Sequence, residues 1–224
     1  MVIRLILASV VGYLLGSIPF GLLFGRFKAK VDIRNYGSGR TGGTNVLRTM
    51  GRGAFIVVVA LDVLKGAVAV LLAGLILGEG YIAVGPYHLG QPGAVSIAAL
   101  AAVVGHIWPV FAGFKGGRGV GTFIGTMFAI CAAAALFGGE ILIIIAGLSG
   151  FASLGSLSGI VGICTLLIPL TFLYGSPLEY LLYAVAAAIL IILIHRDNIV
   201  RLFNGQERKL NQKAESQSRS GSPA

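Results

Sequence analysis

The sequence predicts an all-α integral membrane protein with seven transmembrane helices, the N-terminus outside and the C-terminus in the cytoplasm. Three observations carry this reading. Of 224 residues, 56% are hydrophobic and only 11% charged, and the mean hydropathy is +0.92. An ordinary globular domain is about 25% charged, so this chain has too little polar surface to cover a particle in water. The apolar residues fall in seven stretches, at 2–25, 54–78, 93–112, 119–137, 141–153, 157–174 and 178–195. Finally, the formal charge of +9 is confined almost entirely to alternate loops.

The stretch 2–25 could pass for a signal sequence. However, Gly16-Ser17-Ile18-Pro19-Phe20 leads into further apolar residues instead of a cleavage site, so it reads as a true helix. Stretches 54–78 and 93–112 reach the roughly 20 residues needed to cross a bilayer, and 119–137 follows after a short basic loop. Ile141 to Phe172 is nearly continuous, broken only by Gly147, Gly150, Ser153, Gly155, Ser156, Ser158 and Gly159 among smaller residues. One helix of that length would overshoot a hydrocarbon core of about 30 Å. The Gly/Ser run is therefore read as a turn between 141–153 and 157–174, and 178–195 is the last helix. Residues 1–210 form one membrane domain, and 211–224 are a polar, disordered tail. Cys131 and Cys164 lie within apolar stretches without CxxC spacing, so no disulfide or metal framework is expected.

Charge tests the helix count independently. Segment 26–53 holds seven basic residues and Asp32, a net of +6; Lys115 and Arg118 give +2; the chain from Arg196 onward has six basic and three acidic residues, a net of +3. The other loops carry only Glu79, Glu140 and Glu179. Seven helices place every basic segment on one face and the three glutamates on the other, and the positive-inside rule makes the basic face cytoplasmic. Only Arg4, at the outer end of the first helix, runs against the pattern.

The basic face carries the residues suited to chemistry. In 32–48, Asp-Ile-Arg-Asn-Tyr-Gly-Ser-Gly-Arg-Thr-Gly-Gly-Thr-Asn-Val-Leu-Arg, the glycines Gly37, Gly39, Gly42 and Gly43 let successive backbone N–H groups converge on an anion. Arg34, Arg40 and Arg48 add charge. This is a phosphate cradle by composition, though not a Walker loop, since no Gly-Lys-Ser/Thr follows; the competing reading is a basic loop touching anionic head groups. A second cluster runs from Gly105 and His106 through Lys115, Gly116, Gly117 and Arg118 to Thr122, where the next helix N-terminus suits a phosphate. It reads equally as a tight turn with two snorkelling cations. The third, His195-Arg196-Asp197-Asn198-Ile199-Val-Arg201-Leu-Phe-Asn204-Gly205-Gln-Glu207-Arg208-Lys209, continues the last helix with His195, Asn198 and Ile199 on one face, or is a basic stop signal. Within the second stretch, Asp62 and Lys65 are neighbours three residues apart and are expected to pair inside the bundle.

These segments resemble the bacterial acyl-phosphate-dependent glycerol-3-phosphate acyltransferases, the PlsY family. The matching motifs are Gly16-Ser17-Ile18-Pro19-Phe20-Gly21, Asp32 through Arg48, Leu61-Asp62-Val63-Leu64-Lys65-Gly66, Gly105 through Thr122 and His195 through Ile199, in order over nearly all of the chain to residue 210. The resemblance implies transfer of a fatty acyl group from acyl phosphate to the 1-hydroxyl of glycerol 3-phosphate, giving lysophosphatidic acid and phosphate, the first step of phospholipid synthesis. It implies no metal, cofactor or nucleic acid, a monomer in contact with membrane lipid, and an active site on the cytoplasmic side of the plasma membrane. Carried over by residue, Gly37, Ser38, Gly39, Arg40, Thr41, Gly42, Gly43 and Thr44 hold the acyl phosphate. Arg48, Lys115, Ser153, His195 and Asn198 surround glycerol 3-phosphate. Lys115, His195 and Asn45 act on the reacting groups, and Gly116, Gly117 and Arg118 extend the phosphate loop.

The chemistry is compatible. Acyl phosphates are already activated, so the protein has to juxtapose two phosphate-bearing substrates and stabilise charge. No His-x4-Asp pair exists: the fifth residues after His88, His106 and His195 are Gly93, Phe111 and Val200. His195 or a substrate phosphate can serve as base. Three positions depart from the family: Arg40 stands where Asn is usual, Arg118 where Lys is common, and Gly150-Phe151 where an Arg-Tyr pair often precedes the serine motif. Arg40 raises the alternative of a relative with altered substrate. A transporter or channel for a phosphorylated solute is the rival from another class, although polar residues crowd one face here and the halves show no repeat.

Overall fold

The computed structural model describes residues 1–78, 80–84 and 87–214, with 82–84 and 87–88 described by backbone alone. Glu79 and residues 215–224 of the expected tail lie outside the described residues. Among the described residues, ten α-helices form the fold: α1 (Val2–Gly16), α2 (Phe20–Phe24), α3 (Gly43–Met50), α4 (Arg52–Leu77), α5 (Gln91–Ile107), α6 (Val120–Ile130), α7 (Ala132–Ser149), α8 (Ala152–Phe172), α9 (Leu178–Ile194) and α10 (Arg196–Phe203). A short antiparallel pair, Ile82–Val84 with Tyr87–Leu89, was not expected from the sequence.

Among the described residues, five spans are long and apolar enough to cross a membrane, or six if α9 and α10, bent by 61°, count as one. The first span is interrupted at Pro19, which lacks an N–H and disfavours helical geometry before it, then resumes through α2 and a π-turn at Gly25–Ala29. The expected helix 119–137 instead ends at Ile130, and a single extended residue, Cys131 (φ −150°), separates it from α7. The expected helices 141–153 and 157–174 are also re-divided, the break falling at Gly150-Phe151, where Gly150 takes φ 76°. Glu140 consequently lies on the exposed face of α7 and not in a loop.

The reason is packing. The Gly/Ser run that reads as a turn is the inner face of α8, lying directly on α7: a Cβ on Gly155 would sit 2.6 Å from Ala146 Cβ, and one on Gly159 2.5 Å from the Gly138 carbonyl. Small residues that admit close backbone approach are how helices associate in lipid, where apolar side chains gain nothing by hiding from one another. The same device joins α1 to α5, where a Cβ on Gly16 would overlap the Ala102 carbonyl, and α4 to α6, where one on Gly125 would overlap the Val63 carbonyl. Large apolar side chains such as Leu75, Ile143, Leu148 and Phe172 point outward, each at least 70% exposed.

Helix α4 shows the inversion most clearly, burying Val58, Asp62, Lys65, Gly66, Ala69 and Ala73 while exposing Leu64, Leu71 and Leu75. Lys65 Nζ and Asp62 Oδ1 pair at 2.8 Å, as their spacing implies. Two further partners are not evident from spacing: Lys65 donates to the Ile18 carbonyl at 2.8 Å, at the Pro19 interruption, and His106 Nδ1 stands 3.5 Å from Asp62 Oδ1.

Candidate active site

Three segments converge at one end of the bundle. In the first, Asp32 caps the 3-10 turn Ile33–Asn35: its Oδ1 accepts from the Arg34 backbone N–H at 3.0 Å and Nε at 2.9 Å, and its Oδ2 from Arg34 Nη2 at 2.6 Å and Arg26 Nη2 at 3.2 Å. The Arg34 hydrogen bonds hold this carboxyl well below its usual range. Arg34 also donates to the Ala112 carbonyl at 3.1 Å. It therefore braces the cradle against the second loop and is not free to bind substrate.

Asn45 organises the cradle from within. Its Nδ2 donates to the carbonyls of Ile33 (2.8 Å), Tyr36 (3.1 Å) and Arg40 (2.9 Å), while its Oδ1 accepts from the Ser38 N–H at 3.1 Å. The loop can curl this tightly because Gly37 and Gly39 take φ 55° and 69°, a region costly for residues with a Cβ. Asn45 was expected to act on the reacting groups, but its hydrogen bonds are spent on the loop backbone, so it acts as the scaffold of the cradle. Gly42 and Gly43 lead into the N-terminus of α3, and Thr44 lies in its first turn.

The second loop closes over the first: Thr41 N–H donates to the Gly116 carbonyl at 3.4 Å, and Gly117 packs under Gly42. Arg118 is pressed between them, its Nε buried without a partner. Burial and then the neighbouring Arg40 lower its pKa to about 10. Lys115, by contrast, is exposed and does not line the cavity described below.

The third segment is bent at His195, so the continuous helical face expected through Asn198 and Ile199 is interrupted. His195 is 1% exposed, and its Nδ1 lies 2.8 Å from the Ile191 carbonyl. A carbonyl can only accept, so Nδ1 carries the proton and Nε2 of the neutral ring keeps a lone pair. Glu207, a member of the third cluster with no role assigned from its spacing, accepts from Ser153 Oγ at 2.9 Å, Asn198 Nδ2 at 2.7 Å and Arg201 Nε at 2.9 Å. Burial works to raise its pKa, but these three donors outweigh it and the net shift is downward. Glu207 was visible in the sequence as a lone carboxylate amid basic residues, but spacing did not reveal its partners.

Arg48 belongs to a second tie. Its Nε donates to the Lys209 carbonyl at 3.1 Å and its Nη2 to the Arg208 carbonyl at 2.7 Å, while its own carbonyl accepts from Ala214 N–H at 3.1 Å. Leu210 N–H donates to the Gly150 carbonyl at 2.8 Å. The chain beyond α10 is thus tied to Arg48 and Gly150, and the bond from Ala214 extends the tie into residues 211–214, which were expected to begin a disordered tail; Arg48 spends two nitrogens on it.

Together these segments enclose a polar cavity of about 180 Å³. Gly37, Ser38 and Arg40 come from the cradle, Arg118 from the second loop, Ile194, Asp197, Asn198 and Arg201 from α9 and α10, and Arg208 from the terminal segment. Four guanidinium groups against one lining carboxylate give it a charge balance suited to a multiply charged anion. Arg201 and Arg208 belong to the third cluster of the sequence, and the cavity gives them a place that spacing did not.

Comparison with known proteins agrees with this architecture. The family profile described as glycerol-3-phosphate acyltransferase matches residues 6–205. The chain is 59% identical to glycerol-3-phosphate acyltransferase 3 of Dehalococcoides mccartyi strain 195, over 96% of this chain and 99% of that protein. It is 38% identical to the glycerol-3-phosphate acyltransferase of Thermoanaerobacter sp. strain X514, over 94% and 98%. Among solved structures, the crystal structure of PlsY, an integral membrane glycerol 3-phosphate acyltransferase, in its glycerol 3-phosphate form superposes with a TM-score of 0.79 at 35% identity, covering 92% of this chain and 94% of that one. Its lysophosphatidic acid form gives 0.76 at 34% identity. With its motifs, helical membrane architecture and length all shared, the chain belongs to the integral membrane glycerol-3-phosphate acyltransferase family.

Proposed function

We propose that this protein transfers a fatty acyl group from acyl phosphate to the 1-hydroxyl of glycerol 3-phosphate, releasing lysophosphatidic acid and phosphate. The observation that carries the proposal is a cavity with four arginines, built from the cradle, the second loop, the α9–α10 junction and the terminal segment, in a chain otherwise poor in charge. The hydroxyl oxygen attacks the acyl carbonyl carbon, the carbonyl carbon–phosphate oxygen bond breaks, and phosphate leaves with the electron pair. Gly37 to Thr44, with Arg40 and Arg118, receive the donor phosphate. His195, Asn198 and Ser153 form the acceptor side, where Asn198 and Ser153, already donating to Glu207, retain oxygens able to accept from glycerol hydroxyls; Lys115, exposed outside the cavity lining, reaches the acceptor phosphate as a long flexible cation, and Arg48 acts through the terminal segment that it anchors. Two groups have the chemistry to take the hydroxyl proton, His195 Nε2 and a substrate phosphate oxygen, and the pH–rate profile of His195→Gln separates them.

The membrane topology belongs to the same proposal: seven spans, N-terminus outside and C-terminus cytoplasmic, in the plasma membrane, working as a monomer without metal or cofactor. The concentration of basic residues in 26–53, 113–118 and beyond 195 supports that orientation. Both substrates are then received from the cytoplasm while the acyl chain lies among the helices.

Purified protein given palmitoyl phosphate and glycerol 3-phosphate, without added metal, is expected to release phosphate and form lysophosphatidic acid. Absence of product, where a relative is active, would refute the enzyme reading and favour a transporter. Lys115→Ala and His195→Ala are each expected to lower turnover at least about tenfold, roughly 1.4 kcal/mol of barrier. Wild-type rates in both would move the site elsewhere. Arg40→Asn, assayed beside wild type, shows whether the additional cation belongs to donor binding: the Michaelis constant for acyl phosphate should rise and that for glycerol 3-phosphate should not.

A further inference from the structure

Asp62, Lys65 and His106 do not line the cavity, yet a continuous set of contacts ties them to it. They are 4%, 4% and 6% exposed, respectively. Lys65 Nζ holds Asp62 Oδ1 at 2.8 Å and the Ile18 carbonyl at 2.8 Å, and His106 Nδ1 stands 3.5 Å from the same carboxylate oxygen. His106 is the penultimate residue of α5, where the chain turns into the second phosphate loop. Its carbonyl accepts from the Gly117 N–H at 3.1 Å, and the Ile107 carbonyl accepts from the Gly116 N–H at 3.2 Å. Gly116 is in turn bonded to Thr41 of the glycine cradle. The imidazole itself lies against Gly117, where an added Cβ would overlap Nε2.

We propose that Asp62, Lys65 and His106 are positioning residues for phosphate binding: the buried ion pair fixes the His106 ring, and the ring and its carbonyl fix Gly117 at the distance from the cradle that an anion requires. The physical basis is that a carboxylate and an ammonium so far from water tolerate only arrangements that keep both paired. Lys65 also donates to the Ile18 carbonyl beside the Pro19 interruption, a carbonyl that accepts from the Phe20 N–H as well, which ties the α1–α2 junction, α4 and α5 to one another. Orientation of a loop by such buried partners is worth having because anion affinity depends on sub-ångström placement of backbone N–H groups. The inference rests on the reading that the two glycine loops receive phosphate groups; no bond is made or broken by the trio.

The test is a pair-specific rescue, read as binding of radiolabelled inorganic phosphate to the purified full-length protein and, separately, as Michaelis constants. Gly117→Ala should weaken phosphate binding at least tenfold, since the new Cβ pushes against Nε2. His106→Asn keeps a polar atom toward Asp62 but vacates the Nε2 position, so the Gly117→Ala, His106→Asn double variant should bind phosphate at least about threefold more tightly than Gly117→Ala alone. His106→Gln reaches the Nε2 position and should give no such rescue. A purely structural role would lower the thermal midpoint of these variants without distinguishing Asn from Gln. Wild-type affinity in Gly117→Ala, no recovery in the Asn double variant, equal recovery in the Gln double variant, or no phosphate binding by wild type would each overturn the proposal. Rescue of phosphate binding in a protein that forms no lysophosphatidic acid would leave it standing and reject the proposed reaction.

Discussion

Glu207→Ala is expected to reduce turnover about a hundredfold, or roughly 2.7 kcal/mol of barrier. The carboxylate is the common acceptor of Ser153, Asn198 and Arg201, which come from the start of α8 and from α10. Hydrogen bonds to a charged group are worth about 1.5–3 kcal/mol each. Losing three at once releases Arg201 from its fixed orientation and frees the next residue, Arg208, which lines the cavity. Two arginines thus lose their placement while neither is altered. Glu207→Gln should fall between, because one amide oxygen can still accept while its NH2 group faces the Arg201 donor. Steady-state kinetics with limited proteolysis of the terminal segment provide the check: wild-type turnover and protection in Glu207→Ala would show that the clamp is dispensable.

The same residue gives a pH dependence whose sign is fixed. Its pKa is depressed in the folded protein relative to the ordinary value of 4.5. The stabilisation it provides is therefore complete above that ordinary value and is lost as pH falls through the lower folded value. The terminal segment should loosen in acid below about pH 4.5, and Glu207→Gln should remove that acid limb while leaving behaviour near neutrality unchanged by pH.

The largest stability effect is expected at the intramembrane pair. Lys65→Met or Asp62→Asn alone should cost about 3–5 kcal/mol, because either leaves a buried group without its counter-charge. Lys65→Met in addition abandons the Ile18 carbonyl at the α1–α2 break. The double variant should be less destabilised than the worse single, since no lone charge remains buried. Unfolding in mixed detergent micelles, followed by helix content, measures all three. Additive losses in the double variant would contradict the coupling.

Membrane class and the gathering of charge on one face are legible from the sequence because both follow from sums. Transfer of a 20-residue apolar stretch into lipid and the bias of cations toward one face depend on composition along the chain, not on which residues meet. The pairing of Asp62 with Lys65 was legible for a related reason, since a three-residue spacing in a helix places the two side chains together whatever surrounds them. The helix boundaries from 119 to 174 were not. Glycine and serine there read as a turn, and only the presence of α7 against Gly155 and Gly159 makes them the packing face of a continuous helix.

The site divides in the same way. From the sequence alone come the three basic, glycine-rich segments, their common face and the family they resemble, since residue types suited to phosphate can be recognised one segment at a time. Only the tertiary structure decides which of those residues are free to act. Asn45 turns out to be the cradle's scaffold, Arg34 its brace and Arg48 the anchor of the terminal segment, whereas Arg201, Glu207 and Arg208, members of the third cluster with no role legible from spacing, enter the site. Each of these assignments turns on a hydrogen bond, and several join residues as far apart as Arg48 and Lys209 or Ser153 and Glu207. A donor's availability depends on what folding brings within about 3 Å of it, and that distance is a property of the assembled bundle.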